Sequence, residues 1–363
     1  MKKYLVLILG LSLFITSCSD NDDEFVPEVE PVADIVVQDF MWKAMNFWYF
    51  WQQDVPNLSD TKFTTNTEYI DFLSSVEDPA EFFDSKLRFS EDRFSFYSDD
   101  YKELVQNFAG VSKSNGLEFG LVNSASRGIF GIVRYVVPNS DASTKDIIRG
   151  EVFNGVDGVT LTLDNYIDLL FSNNDTYTLN MADITATTIT RNGKNVTLTK
   201  QEGLSENPVF ITKTIETGDK KIGYLMYNQF TNEYDADLNA AFGQLKADGV
   251  TDLVLDFRYN PGGSVNTSRL LSSMVYGTNT DELFLRQRWN DKLQDQFSAS
   301  DLEDYFASTL SDGSALNTLN LSKVYILVSR STASASELVI NGLAPYIDVF
   351  LIGTTTTGKN EFS

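Results

Sequence analysis

From Lys221 onward the chain alternates short apolar runs with longer amphipathic ones, and this alternation constrains the fold more than any other feature. Lys221–Met226, Asp252–Phe257, Lys323–Val328 and Asp348–Ile352 read as buried strands. Ala236–Asp248, Thr267–Val275 and Ala335–Ala344 read as the helices between and after them. Parallel neighbours need a long crossover, usually helical, so residues 204–363 are expected to form a mainly parallel sheet under helical cover. The upstream texture differs. Residues 34–110 carry helical periodicity, clearest where Ile35, Phe40, Met41, Ala44, Phe47, Trp48 and Trp51 recur near a 3.6 period. Helices are also expected within 66–87, with Pro79 opening the second, and over 99–108. Residues 111–203 are richer in Val, Ile, Thr and Gly, with strand-like runs at 129–133, 177–179 and 196–199 and short helices near 142–148 and 165–171. Asn192-Gly193 reads as a hairpin turn. The expectation is an α/β multidomain chain: a helical N-terminal region, a β-rich domain and an α/β core.

Composition narrows the chemistry. The chain has no histidine, which excludes a Ser-His-Asp triad and any histidine metal site. Cys18 is the single cysteine, so no intramolecular disulfide or cysteine metal cluster can form. Any acid–base work falls to Lys, Asp, Glu or Tyr. A formal net charge of −23 disfavours nucleic acid and anionic lipid as partners.

The first residues read as an address. Lys2 and Lys3 precede an apolar run, Tyr4–Thr16, which suits a signal peptide over 1–17 and is short for a membrane span. Ile15-Thr16-Ser17-Cys18 resembles a bacterial lipobox, which makes Cys18 the expected lipidation site. The acidic stretch Ser19–Glu24 then resembles a surface-export signal of Bacteroides-like lipoproteins; a plain solvated tether is the other reading. Residues 18–33 are expected to be an acidic linker.

Chemistry-bearing residues gather at three turns, each just after an expected strand, where sites in open α/β sheets tend to lie. The first, Asp256–Gly263, ends in Pro-Gly-Gly, whose glycines let backbone N–H groups face a ligand. The second, Ser331–Glu337, puts Ser334 at a helix start. It reads equally as a nucleophile placed at the helix dipole and as a capping box with Glu337. The third, Thr354–Lys359, follows the last strand. One strand–helix–strand unit would bring Ser334 and Lys359 to the same sheet edge, as a Ser–Lys pair requires. Burial would then favour the neutral amine that a base needs; an exposed loop lysine is the plainer reading.

The segments Asp256–Gly263, Ser331–Glu337 and Gly353–Lys359 together resemble the C-terminal processing (tail-specific) family of serine peptidases. In that family a Gly-Lys follows a Ser-Ala-Ser-Glu motif by the interval that separates Ser334 from Lys359 here. The resemblance implies Ser334 as nucleophile and Lys359 as general base. Gly262, Gly263 and Ala335 would be oxyanion donors, and Glu337 and Thr356 supporting polar residues. Gly116-Leu117-Glu118-Phe119-Gly120 resembles the carboxylate-binding loop of PDZ domains, and Ile148–Val152 with Val156-Asp157-Gly158 the later part of that pattern, with Glu151 where Asp is usual. The implied fold is a helical domain over 34–110, a PDZ-like peptide-binding domain over 111–203 and a crotonase-like ββα catalytic core over 204–363. The family's catalytic domains usually run on through further strands after the lysine, and Ser363 stands where many members carry glutamine.

The implied function is a serine endopeptidase that cleaves near the C-termini of exported proteins or peptides, with neither cofactor nor metal. Its partners would be peptide or protein C-termini, with no nucleic acid and with the membrane reached only through the lipid at Cys18. The implied location is the outer membrane, on its periplasmic or cell-surface face. The alternative is a catalytically inactive, PDZ-type peptide-binding surface lipoprotein.

Overall fold

The computed structural model describes residues 35–361, which divide into two compact units. The expected signal peptide, Cys18 and the whole expected linker lie outside the described residues. Among those described, no helix is long and apolar enough to cross a membrane.

One unit contains the described residues up to Tyr97 together with Arg288–Ser298. Its helices are α1 (Val36–Trp48), α2 (Asn66–Leu73) and α3 (Pro79–Phe82), the last running on into a π turn, Phe83–Leu87. Pro79 occupies the first turn of α3, where its missing N–H costs nothing, and Asp78 caps the Ala80 N–H at 3.0 Å. The core is aromatic. Trp42 packs edge-on against Phe63 and Tyr69 while its indole N–H donates to Asn57 O at 2.8 Å. Asn290 ties the distant segment in by donating to the Phe47 and Tyr49 carbonyls.

The second unit holds Ser98–Gln287 and the described residues from Ala299. It begins with α4 (Tyr101–Phe108), capped by Asp100, and β1 (Val111–Ser114). Next come β2 (Leu117–Ser124), β3 (Gly128–Val136), β4 (Val152–Val156), β5 (Val159–Thr160), α5 (Tyr166–Leu170), β6 (Thr176–Ile184) and β7 (Ile189–Thr199). These strands make an antiparallel sheet in the order β2-β3-β4-β6-β7, with β5 on β4, around a core that includes Leu117, Val133, Phe153, Leu179 and Leu198. Two local expectations are corrected here. Asn192-Gly193 is no hairpin turn: it lies inside β7 at a register break opposite Asn180–Ala182, and β6 turns into β7 through Thr185–Thr188. A positive φ of 86° at Gly193 serves a bulge as well as a turn, so the same dipeptide signals both. The helix expected near 142–148 shrinks to one 3₁₀ turn, Ala142–Thr144.

The remaining elements are β8 (Gln201–Ser205), β9 (Val209–Thr217), β10 (Lys220–Tyr227), α6 (Asp235–Ala247), β11 (Asp252–Asp256) and α7 (Val265–Tyr276). Along the excursion after α7 run β12 (Leu283–Arg286), α8 (Asp291–Gln294), α9 (Ala299–Leu302) and β13 (Glu303–Tyr305), and β12 pairs with β13. β14 (Lys323–Val328), α10 (Ala335–Leu343) and β15 (Asp348–Gly353) complete the described chain. The main sheet has the order β15-β14-β11-β10-β9; every pair is parallel except β9–β10. Leu225, Leu253, Leu255, Val324 and Ile326 pack with Leu238, Phe242, Leu271, Met274, Val339 and Leu343 from α6, α7 and α10. Because β11, β14 and β15 run the same way, their three following turns meet at one end of the sheet.

Candidate active site

The turn after β11 is built on Asn260, which is fully buried. Its amide donates to Tyr227 O at 2.9 Å, its Oδ1 accepts the Gly262 N–H at 2.9 Å, and its carbonyl accepts Ala333 N–H and the Ser336 hydroxyl. One asparagine thus holds the glycine turn against the serine turn. Gly262 has φ 108°, and a Cβ there would stand 2.7 Å from Ser334 Cβ and 2.9 Å from Ala335 N, so the approach requires glycine. Gly263 pairs with Phe230 through the Gly262 carbonyl and the Ser264 N–H, which leaves its own N–H outside that ladder. Of the two glycines, Gly262 has its N–H committed to Asn260.

Ser334 sits at the start of α10 with φ 56° and ψ −117°, a region costly for a residue with a Cβ, by about 1–3 kcal/mol. The strain is held by fully buried Thr332, whose hydroxyl donates to Phe257 O at 2.8 Å and accepts the Ser329 N–H at 2.9 Å.

The buried Glu337 carboxylate organises the site. It accepts the N–H groups of Ser334 at 2.9 Å, Gly358 at 2.7 Å and Lys359 at 2.9 Å. Glu337 does take part in a helix cap, as the capping reading expects, but it also spans to the third turn. The two readings of the serine motif are therefore compatible. Thr357 adds a second tie, donating its N–H to Thr332 O at 3.0 Å and its hydroxyl to Arg330 O at 2.8 Å. Thr356, which the resemblance implies as a supporting residue, is the neighbour of Thr357 in this turn. Lys359 is half-buried.

Nearby electrostatics are strong. Asp256 is buried under Arg258 and Tyr224, which reach it at 2.6 Å each. Burial alone would raise its pKa, but these hydrogen bonds outweigh burial and leave it below the usual carboxylate range.

Leu117 to Gly120, four of the residues expected in a carboxylate-binding loop, lie instead in β2 and line a separate cleft of about 470 Å³, together with Leu170 and Phe171. Gly116 fits because a Cβ there would meet Ser140 at 2.1 Å. The Leu117 N–H is engaged by Asn115 Oδ1 at 3.0 Å. Glu118 is pushed up to about 7 by burial and by Glu206, against the pull of Arg134. Sequence reasoning missed Asn260 and Thr357, since a polar residue in a turn looks alike whether it caps or bridges.

Residues 221–363 match the family model for peptidase family S41, and residues 36–96 match the peptidase S41 N-terminal domain. A crystal structure of an S41 protease from Bacteroides fragilis NCTC 9343 superposes with a TM-score of 0.66 at 27% identity, over 92% of this chain and 81% of that one. A carboxyl-terminal-processing protease of Picosynechococcus sp. is 28% identical over 166 residues, 44% of this chain and 34% of its own. A CtpA-like serine protease of Staphylococcus aureus is 31% identical over 182 residues, 45% of this chain and 32% of its own. The matched part thus spans about a third of the length of these curated relatives. Both family models are of one peptidase family. The chain belongs to peptidase family S41.

Proposed function

We propose that this protein is a serine endopeptidase that cuts near the C-termini of exported proteins or peptides with a Ser334–Lys359 dyad. The observation that carries the reading is the Glu337 carboxylate, which holds the backbone of both residues at once. Ser334 Oγ attacks the scissile carbonyl as the Lys359 amine takes its proton. The Gly263 and Ala335 N–H groups, with Gly262 shaping the turn, receive the oxyanion. The leaving amine takes the proton back from Lys359, and water then releases the acyl group from Ser334 Oγ.

In this reading residues 111–203 are a PDZ-like domain whose residues 116–120, at the start of β2, take a chain-terminal carboxylate in backbone N–H groups, the peptide adding as a strand in the cleft beside β2. The main sheet with its helices is a crotonase-like ββα core, and residues 34–110 a helical N-terminal domain. Lipid at Cys18 would anchor the protein to the outer membrane.

Purified Ser334→Ala and Lys359→Ala proteins should each lose peptide hydrolysis. Hydrolysis retained by Ser334→Ala would dispose of the dyad.

A further inference from the structure

Three arginines converge on one phenol beside the serine turn. The guanidinium carbons of Arg134, Arg149 and Arg258 lie 5.3, 5.3 and 5.9 Å from the Tyr259 ring centroid. Arg258 is neutralised by Asp256. Arg134 and Arg149 form no ion pair with any carboxylate among the described residues, in a chain with 51 acids and 28 bases.

Their placement is specific. Arg134 is the extra residue of a bulge in β3, where Glu118 pairs with Tyr135 and Phe119 with Val133. A bulge re-aims a side chain. This one passes under Gly120, where a Cβ would stand 2.8 Å from its Nε, and reaches Ser331 Oγ at 3.5 Å, three residues before Ser334. It also lines the cleft beside Glu118 and Phe119. Arg149 is exposed in the turn before β4 and donates to the Tyr259 hydroxyl at 3.1 Å. Tyr259 itself lies three residues before Gly262.

Guanidinium groups are held in place here, where the cleft meets the serine turn, without a paired carboxylate, although the charge of Arg134 is also felt by Glu118. Cation–π contact fixes them while leaving N–H donors for a forked, charge-assisted bond.

We propose that Arg134 and Arg149 form a carboxylate clamp that selects substrates with an acidic group next to the bond presented to Ser334. The clamp deepens the peptidase reading and rests on it. Its carboxylate comes from the chain end or from a Glu or Asp side chain.

The test uses the full chain with Ser334→Ala and fluorescein-labelled decapeptides, read by anisotropy. Each peptide ends in a free carboxylate or an amide and carries a single Glu or Gln at one of its last four positions. One acidic form should bind about tenfold tighter than its neutral counterpart. In Arg149→Gln and in Arg134→Gln that preference should fall to within twofold, and the form affected identifies the source. A preference that survives both substitutions, one absent from the parent, or no binding at all overturns the clamp. Arg149 is exposed, so its substitution decides the matter if Arg134→Gln fails to fold, as judged by melting. Cleavage by the protein with Ser334 intact is read separately. Acid-selective binding without cleavage would sink the peptidase reading alone, and cleavage without acid preference would sink the clamp alone.

Discussion

Glu337 is the residue on which the site's geometry turns, because its two oxygens take three backbone N–H groups from two loops. An amide keeps one acceptor oxygen and places an NH₂ where the other stood. Glu337→Gln should leave at least one buried N–H without a partner, at about 1–3 kcal/mol. Displacing the lysine loop by an ångström should lower kcat about 100-fold. KM should change little, since the cleft is untouched; a raised KM with unchanged kcat would contradict the positioning role. Gly262 is equally constrained. Gly262→Ala brings a Cβ to 2.7 Å from Ser334 Cβ at a φ of 108°. Its expected cost is about 1–3 kcal/mol in urea unfolding, with hydrolysis lost. Wild-type stability and rate in that variant would mean that the turn is looser than described.

Elements were legible where physics left one choice. β10, β11 and β14 are central strands covered on their faces, and their apolar runs stand out in the sequence. β9 was missed: it is the antiparallel edge strand, and Val209–Thr217 alternates apolar and polar residues, a weaker signal than a continuous run. Asn192-Gly193 misled because a bulge and a tight turn ask for the same positive φ. A pH effect belongs to this scale, where β2 and β3 bring Glu118 toward Glu206, Arg134, Tyr135 and Tyr177. Burial and Glu206 raise the Glu118 carboxyl from 4.5 to about 7. Below 4.5 folded and unfolded chains both hold the proton. Between 4.5 and 7 only the folded chain keeps it, so stability falls as pH rises and the loss is complete above 7. Glu118→Gln should therefore gain about 3 kcal/mol at pH 8 and nothing at pH 4. An equal shift at both pH values, in melting curves, would refute the coupling.

At the scale of the molecule, the fold class and the meeting of three turns could be read from strand–helix alternation, because parallel order forces successive strand ends to one side. The bonds that make the meeting into a site could not. Asn260 and Thr357 act through contacts to residues more than twenty positions away, and no local pattern carries that distance. Glu337 could be read as a cap, which it is, but its reach to Gly358 and Lys359 depends on β14 and β15 lying side by side. The central claim is that Ser334 is a nucleophile held ready by the lysine loop. Labelling with a fluorophosphonate probe, with the adduct located by mass spectrometry, tests it most directly. The adduct should map to Ser334 and should fall sharply in Lys359→Ala and Glu337→Gln. A folded protein that takes no label, or takes it at another serine, would contradict the account.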